Sequence, residues 1–398
     1  MKRTPLSAVF LTVVVDLIGF GIVIPLLPLY AEQFGASGLQ VGLLMTIYSA
    51  AQLVAAPLWG RLSDRVGRRP VLLVSLLGST VSYAIAALAG SLWVLFLARL
   101  LGGLSGGNIS AAQAYVADVT APEERARGMG LLGAAFGIGF VIGPALGGAL
   151  VGFGEWVPFA GAALLCGGNL VLTWFRLPEP PRPPGGSERP RRSLGLGELL
   201  RAVRRPRLLS LLVLFFCATF ALANLEATFA LTTNRLFGFG NRENAFLFAY
   251  IGLMLAFTQA VLVGRLARRL GEPALVVLGL LVTVGGLFAV PYAANVWHLL
   301  AILALFSLGS GISSPSISSL ISRAAGAEIQ GGVLGAGQSA ASLARVFGPA
   351  CGGFVFDRFG VPAPYLLGAA VMVVAWTISL TLLRPALPAP PPAPPAGR

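Results

Sequence analysis

Twelve apolar runs make up most of this chain, and a chain built that way has few folds open to it. A helix that crosses a bilayer takes about 20 predominantly apolar residues. The runs fall at roughly 7–31, 40–59, 70–90, 92–116, 127–152, 157–176, 208–234, 245–266, 273–292, 297–322, 330–355 and 361–383. Of the 398 residues, 56% are hydrophobic and 11% charged, whereas a soluble domain carries about 25% charge. The pattern predicts an all-α integral membrane protein with 12 transmembrane helices.

Two short motifs divide those helices into halves. Gly60-Arg61-Leu62-Ser63-Asp64-Arg65-Val66-Gly67 returns as Gly264-Arg265-Leu266-Ala267-Arg268-Arg269-Leu270-Gly271, an offset of 204. Gly143-Pro144-Ala145-Leu146-Gly147-Gly148 returns as Gly348-Pro349-Ala350-Cys351-Gly352-Gly353, an offset of 205. Two markers in one register predict two pseudo-symmetric six-helix bundles, residues 1–177 and 207–384. Duplicated halves in an apolar chain are typical of secondary transporters, where one half rocks against the other around a central site. Between the bundles, 178–206 begins with a linker rich in Pro, Gly and charge, from Pro178 to Pro190. It continues as an expected amphipathic helix, with Leu194, Leu196, Leu199, Leu200 and Val203 among arginines, suited to an anionic leaflet. The Pro- and Ala-rich stretch 385–398 is expected to be a disordered tail.

Basic residues orient the chain. With both termini placed in the cytoplasm, 23 of the 28 Lys and Arg residues fall on that side; Arg235, Arg242 and Arg358 fall outside, and Arg99 and Arg345 lie within spans. The expectation is a multi-pass protein of the cell membrane with cytoplasmic termini. The same dispersal accounts for the net charge of +13 without a nucleic-acid partner. Lys2 and Arg3 precede an apolar run too long for a signal peptide, so it reads as an uncleaved first span. Cys166, Cys217 and Cys351 sit inside spans without metal-ligand spacing, so neither a disulfide nor a metal is expected.

Gly60-x-x-x-Asp64-Arg65-x-Gly67-Arg68-Arg69 resembles the loop signature of the major facilitator superfamily, and Arg99-x-x-x-Gly103 resembles its fourth-helix motif. Gly137-x-Gly139 with Gly143-Pro144-x-x-Gly147-Gly148 resembles the fifth-helix motif of its antiporter branch. Asp16-Leu17-Ile18-Gly19-Phe20-Gly21, with Pro25 and Pro28, is similar to the first helix of 12-helix drug:proton antiporters, tetracycline exporters included. The resemblance covers nearly the whole chain. It implies proton-coupled antiport of amphiphilic drugs by alternating access, tetracycline-like or multidrug, with no enzyme activity and no cofactor beyond the proton gradient. The implied partners are a small-molecule substrate, protons and lipid, for a monomer.

Each motif also has a physical reading. Gly60 and Gly67 are expected to bracket a tight turn that admits no Cβ. Asp64 can accept hydrogen bonds at the start of a neighbouring helix; in the family that neighbour is helix 11, which makes Gly60, Asp64, Arg65, Gly67, Arg68 and Arg69 a conformational latch. Arg268 replaces the aspartate in the second copy, which weakens that latch. Gly139, Gly143 and Gly147 line one helix face, and small residues at that spacing let another helix approach closely. Pro144 removes a backbone hydrogen bond and permits a kink, beside Gly148.

Ionisable groups inside spans are costly and functional by default. Asp16, Arg99, Glu226 and Arg345 meet that description. Asp16 and Glu226 occupy equivalent helices of the two halves, and a carboxyl in a low-dielectric cavity can bind a proton near neutral pH. Arg99 nearby would favour the charged carboxylate. Gln52, Asn108, Gln113, Asn224, Gln259 and Gln338 are candidate cavity contacts, together with Arg345. Tetracycline exporters carry an aspartate in helix 9 and a histidine in helix 8, where this chain has Thr283 and Leu255. The resemblance therefore implies drug export as a class more firmly than tetracycline itself. A metabolite transporter of the same fold and a non-transporting membrane receptor or scaffold are the alternatives. The latter should bind ligand without proton dependence.

Overall fold

The computed structural model describes residues 5–106, 108–120, 124–180 and 205–380. The linker helix expected over 194–203 and the tail from Pro385 lie outside the described residues, as do Lys2 and Arg3. The described residues are helical throughout, without a strand. The first half holds α1 (Pro5–Val23), α2 (Leu27–Glu32), α3 (Gly38–Val66), α4 (Arg68–Ala87), α5 (Leu92–Ser105), α6 (Asn108–Val119), α7 (Arg125–Leu150) and α8 (Val157–Arg176). The second holds α9 (Pro206–Phe237), α10 (Asn241–Phe257), α11 (Gly264–Leu270), α12 (Glu272–Ala289), α13 (Val296–Phe359) and α14 (Ala363–Ser379).

Among the described residues, ten stretches are long and apolar enough to cross a membrane. The remaining two spans come from α13 and α14. Although α13 is one continuous helix of 64 residues, Phe306 packs on Gly286 of α12 while Gly352 packs on Asn224 of α9. Gly368 of α14 touches both Asn224 and Leu287, so Phe306 and Gly352 lie at one level of the bundle. A straight helix rising about 1.5 Å per residue would hold them on the order of 70 Å apart. The helix therefore doubles back: its first limb, Val296–Ala324, runs against α12, and its second limb runs alongside α9. Twelve spans in two pseudo-symmetric bundles result.

Three spans depart from the simple reading. Span 1 does not run unbroken over 7–31; it turns at 24–26 and resumes as α2, because Pro25 cannot donate to the helix ladder and Pro28 suits a helix start. Span 4 is broken after Gly106 into α5 and α6. In span 8 a π-helical stretch, Thr258–Val263, joins α10 to α11, and such a bulge rotates every later side chain on the helix.

The glycine-proline motif sets the closest helix crossings. A Cβ on Gly143 would lie 2.7 Å from the Cα of Gly21 in α1, and one on Gly139 would lie 2.6 Å from the Leu17 Cβ. Gly148, on the other side of α7, meets Ala245 of α10. The second copy repeats this arrangement. Gly348 and Gly352 meet Phe220, Ala223 and Asn224 of α9, and Gly353 meets the Gly38 carbonyl of α3 at 2.0 Å from a built Cβ. Spans 5 and 11 are thus each wedged between their own half and the opposite half.

Substituting Gly143→Ala forces backbone against backbone and is expected to cost about 1–3 kcal/mol, as overpacking does. It should lower the thermal unfolding midpoint of the purified protein. Gly137→Ala, whose Cβ would meet nothing within 4 Å, should leave the midpoint unchanged; equal midpoints for the two variants would refute the crossing as the origin of the motif.

Candidate functional site

Between the halves lies a cavity of about 190 Å³, lined by charged, polar and aromatic side chains. Spans 1, 2, 3, 4, 5, 7 and 11 supply its wall, Ser79 and Tyr83 coming from span 3. Asp16 of α1 and Arg99 of α5 come from one half, and Glu226 of α9 and Arg345 of the second α13 limb come from the other. Four in-span charges that are scattered along the sequence therefore converge on one space.

Their surroundings differ. Asp16 is 8% exposed, and the Cys166 thiol donates to its Oδ1 at 3.9 Å. Arg99 is 6% exposed and lies face-on over the Tyr48 ring, 4.1 Å from its centroid, a cation–π contact that favours a desolvated arginine. Phe20 meets Tyr48 at a tilt and Phe140 edge-on, with centroids 5.6 and 6.4 Å away. Glu226 is half-buried and Arg345 exposed to the cavity. The Tyr48 hydroxyl lies within electrostatic reach of Arg99, Asp16 and Arg345 together.

The expected amide contacts divide. Gln52 lines the cavity and donates to the Gly106 carbonyl at 3.3 Å. Asn224 does not line it: it is buried and donates to the Pro364 carbonyl of α14 at 2.6 Å, and Gly352 leaves room for its side chain. Gln113, Gln259 and Gln338 are exposed and stand outside the cavity lining. Gln338 shares the face of Arg345 two turns closer to the start of the limb. The side chain of Asn108 lies outside the described residues. Thr283, at the exporters' aspartate position, is buried against Gly309 and donates to the Gly279 carbonyl at 2.8 Å, so it too faces a helix partner.

The latch motif is only partly a turn. Gly60 lies inside α3 and a Cβ there would meet nothing within 4 Å, contrary to expectation. Gly67 does require glycine: its φ is +115° and a Cβ would lie 2.5 Å from Glu179. Asp64 pairs with Arg68 at 2.6 Å, one helical turn on; Arg68 also binds Asp118 at 2.8 Å. Arg69 donates to the Trp174 carbonyl at 2.6 Å, and Arg65 is exposed. The Glu179 carboxylate accepts from the amides of Arg68 and Arg69 at 2.7 and 3.0 Å, capping α4 at its positive end. The side chains of 325–331, where the expected helix 11 partner of Asp64 begins, lie outside the described residues.

At the face remote from the termini, polar contacts pin the halves together. The Asp357 carboxylate, at the end of α13, accepts from the Gly38 and Leu39 amides of α3, each at 2.8 Å. Thr46 donates to the Val346 carbonyl at 2.7 Å, and Asn241 to the Glu155 carboxylate. Glu32 faces Arg235 at 3.9 Å. Sequence reasoning missed Asp357 and Glu179, because an acid near a helix end announces no partner. It also missed Tyr48, although Gln52, one helical turn on, marks the same face.

Burial pushes the Glu32 carboxyl above its ordinary value; Arg235 opposes that shift and Asp357 adds to it. A raised carboxyl favours the closed face when protonated. Its contribution is therefore complete below the ordinary carboxylate range and is lost as pH rises through the raised value. Spin-label distances between the start of α3 and the end of α13 should lengthen over that rise, and Glu32→Gln should abolish the dependence. Asp357→Asn should shift the population toward the open face roughly fivefold, about 1 kcal/mol for an exposed charge-assisted cap.

Three comparisons place this geometry among known proteins. The Major Facilitator Superfamily model matches residues 9–344 and 260–398. A class D tetracycline resistance protein of Salmonella ordonez is 32% identical over 394 residues, covering 97% of this chain and 98% of that one. Multidrug resistance protein 2 of Bacillus subtilis (strain 168) is 29% identical over 383 residues, 95% of each chain. The crystal structure of the nucleoside transporter NupG covers 96% of this chain and 100% of its own, with TM-score 0.77 at 13% identity, which shows a shared fold. The chain belongs to the Major Facilitator Superfamily.

Proposed function

We propose that this multi-pass membrane protein exports amphiphilic, drug-like organic compounds in exchange for protons, by alternating access. The observation that carries the reading is the placement of Asp16 and Glu226, one from each half, in the wall of a single cavity. A carboxyl that meets the same space as the substrate can hold a proton in one state and yield it in the other, which couples two fluxes without covalent chemistry. The tetracycline- and multidrug-resistance relatives support drugs as the exported class. The Phe20, Tyr48 and Phe140 cluster offers the apolar contact such compounds need.

Under this reading the contacts of Asp357 and Thr46 hold one of two alternating states, with the cavity reached from the termini's side. The Asp64 loop serves the opposite state. Both termini are placed in the cytoplasm, the bundles at 1–177 and 207–384 move as the two bodies, and the protein acts as a monomer. In the second half Glu226 takes the coupling role, since Thr283 is turned into a helix contact.

Energised proteoliposomes test the proposal. Lipophilic cations and a tetracycline should trigger proton release from the wild type. Asp16→Asn and Glu226→Gln should each reduce it at least roughly tenfold, as loss of an essential proton-transfer group does. Drug movement at wild-type rates in both variants, or drug binding without any proton movement in the wild type, would overturn the antiport reading.

A further inference from the structure

Of the four charges that line the cavity, two are buried against neighbours. Asp16 is buried beside Cys166, and Arg99 is buried under Tyr48. Glu226 and Arg345 are different. Both come from the second half, both reach open cavity, and among the described residues neither has a hydrogen-bond or ion-pair partner. Yet both line the same cavity, Glu226 from span 7 and Arg345 from span 11. Two opposite charges on one cavity, not joined as an ion pair, leave room for a ligand between them.

The surrounding packing fixes where these charges start. Gly348 abuts the Phe220 carbonyl and Ala223, and Gly352 abuts Asn224, which locks the register of the α13 limb against α9 on either side of Pro349. The opposite wall is the aromatic cluster of Phe20, Tyr48 and Phe140. A ligand complementary to that space has a flat apolar body, a cationic group for Glu226 and an acidic group for Arg345. With two acids and two arginines in its wall the cavity is charge-balanced, so a lone cation near Glu226 would also meet the repulsion of Arg345.

We propose that Glu226 and Arg345 form a dipolar subsite that selects amphoteric aromatic compounds over lipophilic monocations. This rests on the export reading and narrows its substrate class, with Arg345 as the residue that sets charge preference. Charge selection of this kind follows from the cost of placing like charges together in a low-dielectric site.

The test is equilibrium binding of three xanthene dyes to the protein in nanodiscs: the amphoteric free-acid rhodamine, its cationic methyl ester, and anionic fluorescein. Wild-type protein should bind the free acid roughly tenfold more tightly than the ester, the ratio that about 1.4 kcal/mol gives. Arg345→Gln should abolish or reverse that ratio, Arg345→Lys should largely keep it, and Glu226→Gln should favour fluorescein. Because the readout is a ratio within one preparation, partial unfolding of a variant does not mimic the effect. A wild type that does not prefer the free acid, or a ratio unmoved by Arg345→Gln, overturns the proposal. Proton release by the same dyes separates the two readings: release without charge preference leaves export standing and removes the subsite. Charge preference without release does the reverse.

Discussion

The close approach of backbones at the glycine-proline segments is the constraint on which the rest of this molecule depends. In a membrane, burying apolar side chains against each other gains little over lipid, so helices associate through contact and small residues. Gly143 against Gly21 and Gly353 against Gly38 bring helices together at distances no side chain would permit. Spans 5 and 11 each touch both halves, so these crossings set the position of Asp16 on one side and of Glu226 and Arg345 on the other. The cavity is what remains between two such wedges.

Duplication supplied the scaffold, and divergence supplied the chemistry. The two glycine-proline copies do the same packing work in each half. The two loop copies do not: Asp64 pairs with Arg68 in the first, while Arg268 stands exposed in the second. The acids of spans 1 and 7 have also parted. Asp16 is held in the wall, and Glu226 is left facing open space beside a distant arginine. A symmetric frame with asymmetric charges can present different surfaces to a ligand in its two states, and alternating access depends on that difference.

Gating has a similar economy. The free amides at a helix start are an anion site, and this chain uses that property twice. Glu179 caps α4 within its own half, and Asp357 caps α3 across the halves. The first braces the loop that carries the signature, and the second ties the two bodies. The same interaction therefore stabilises either a fold or one conformation, depending on whether its two partners lie in one half or in both.

Span number, duplication and the identities of the four in-span charges were legible in the residues, because transfer into lipid penalises each charge and rewards each apolar run independently of neighbours. Helix breaks were less legible. Pro25 marked one and the Gly106-Gly107 pair a second, but the π stretch at 258–263 rests on packing that no local pattern encodes. Gln113 and Gln259, placed in the cavity by a 3.6-residue period, stand outside its lining. The reversal inside α13 was readable as two apolar runs even though hydrogen bonding joins them. By itself the sequence determined a twelve-span, two-half membrane protein with acids at equivalent places, since those follow from solvation residue by residue. Only the tertiary structure decided which of those acids is walled in, which arginine faces Glu226, and where Asp357 closes the halves, because each depends on helix rotation and register set by contacts hundreds of residues apart.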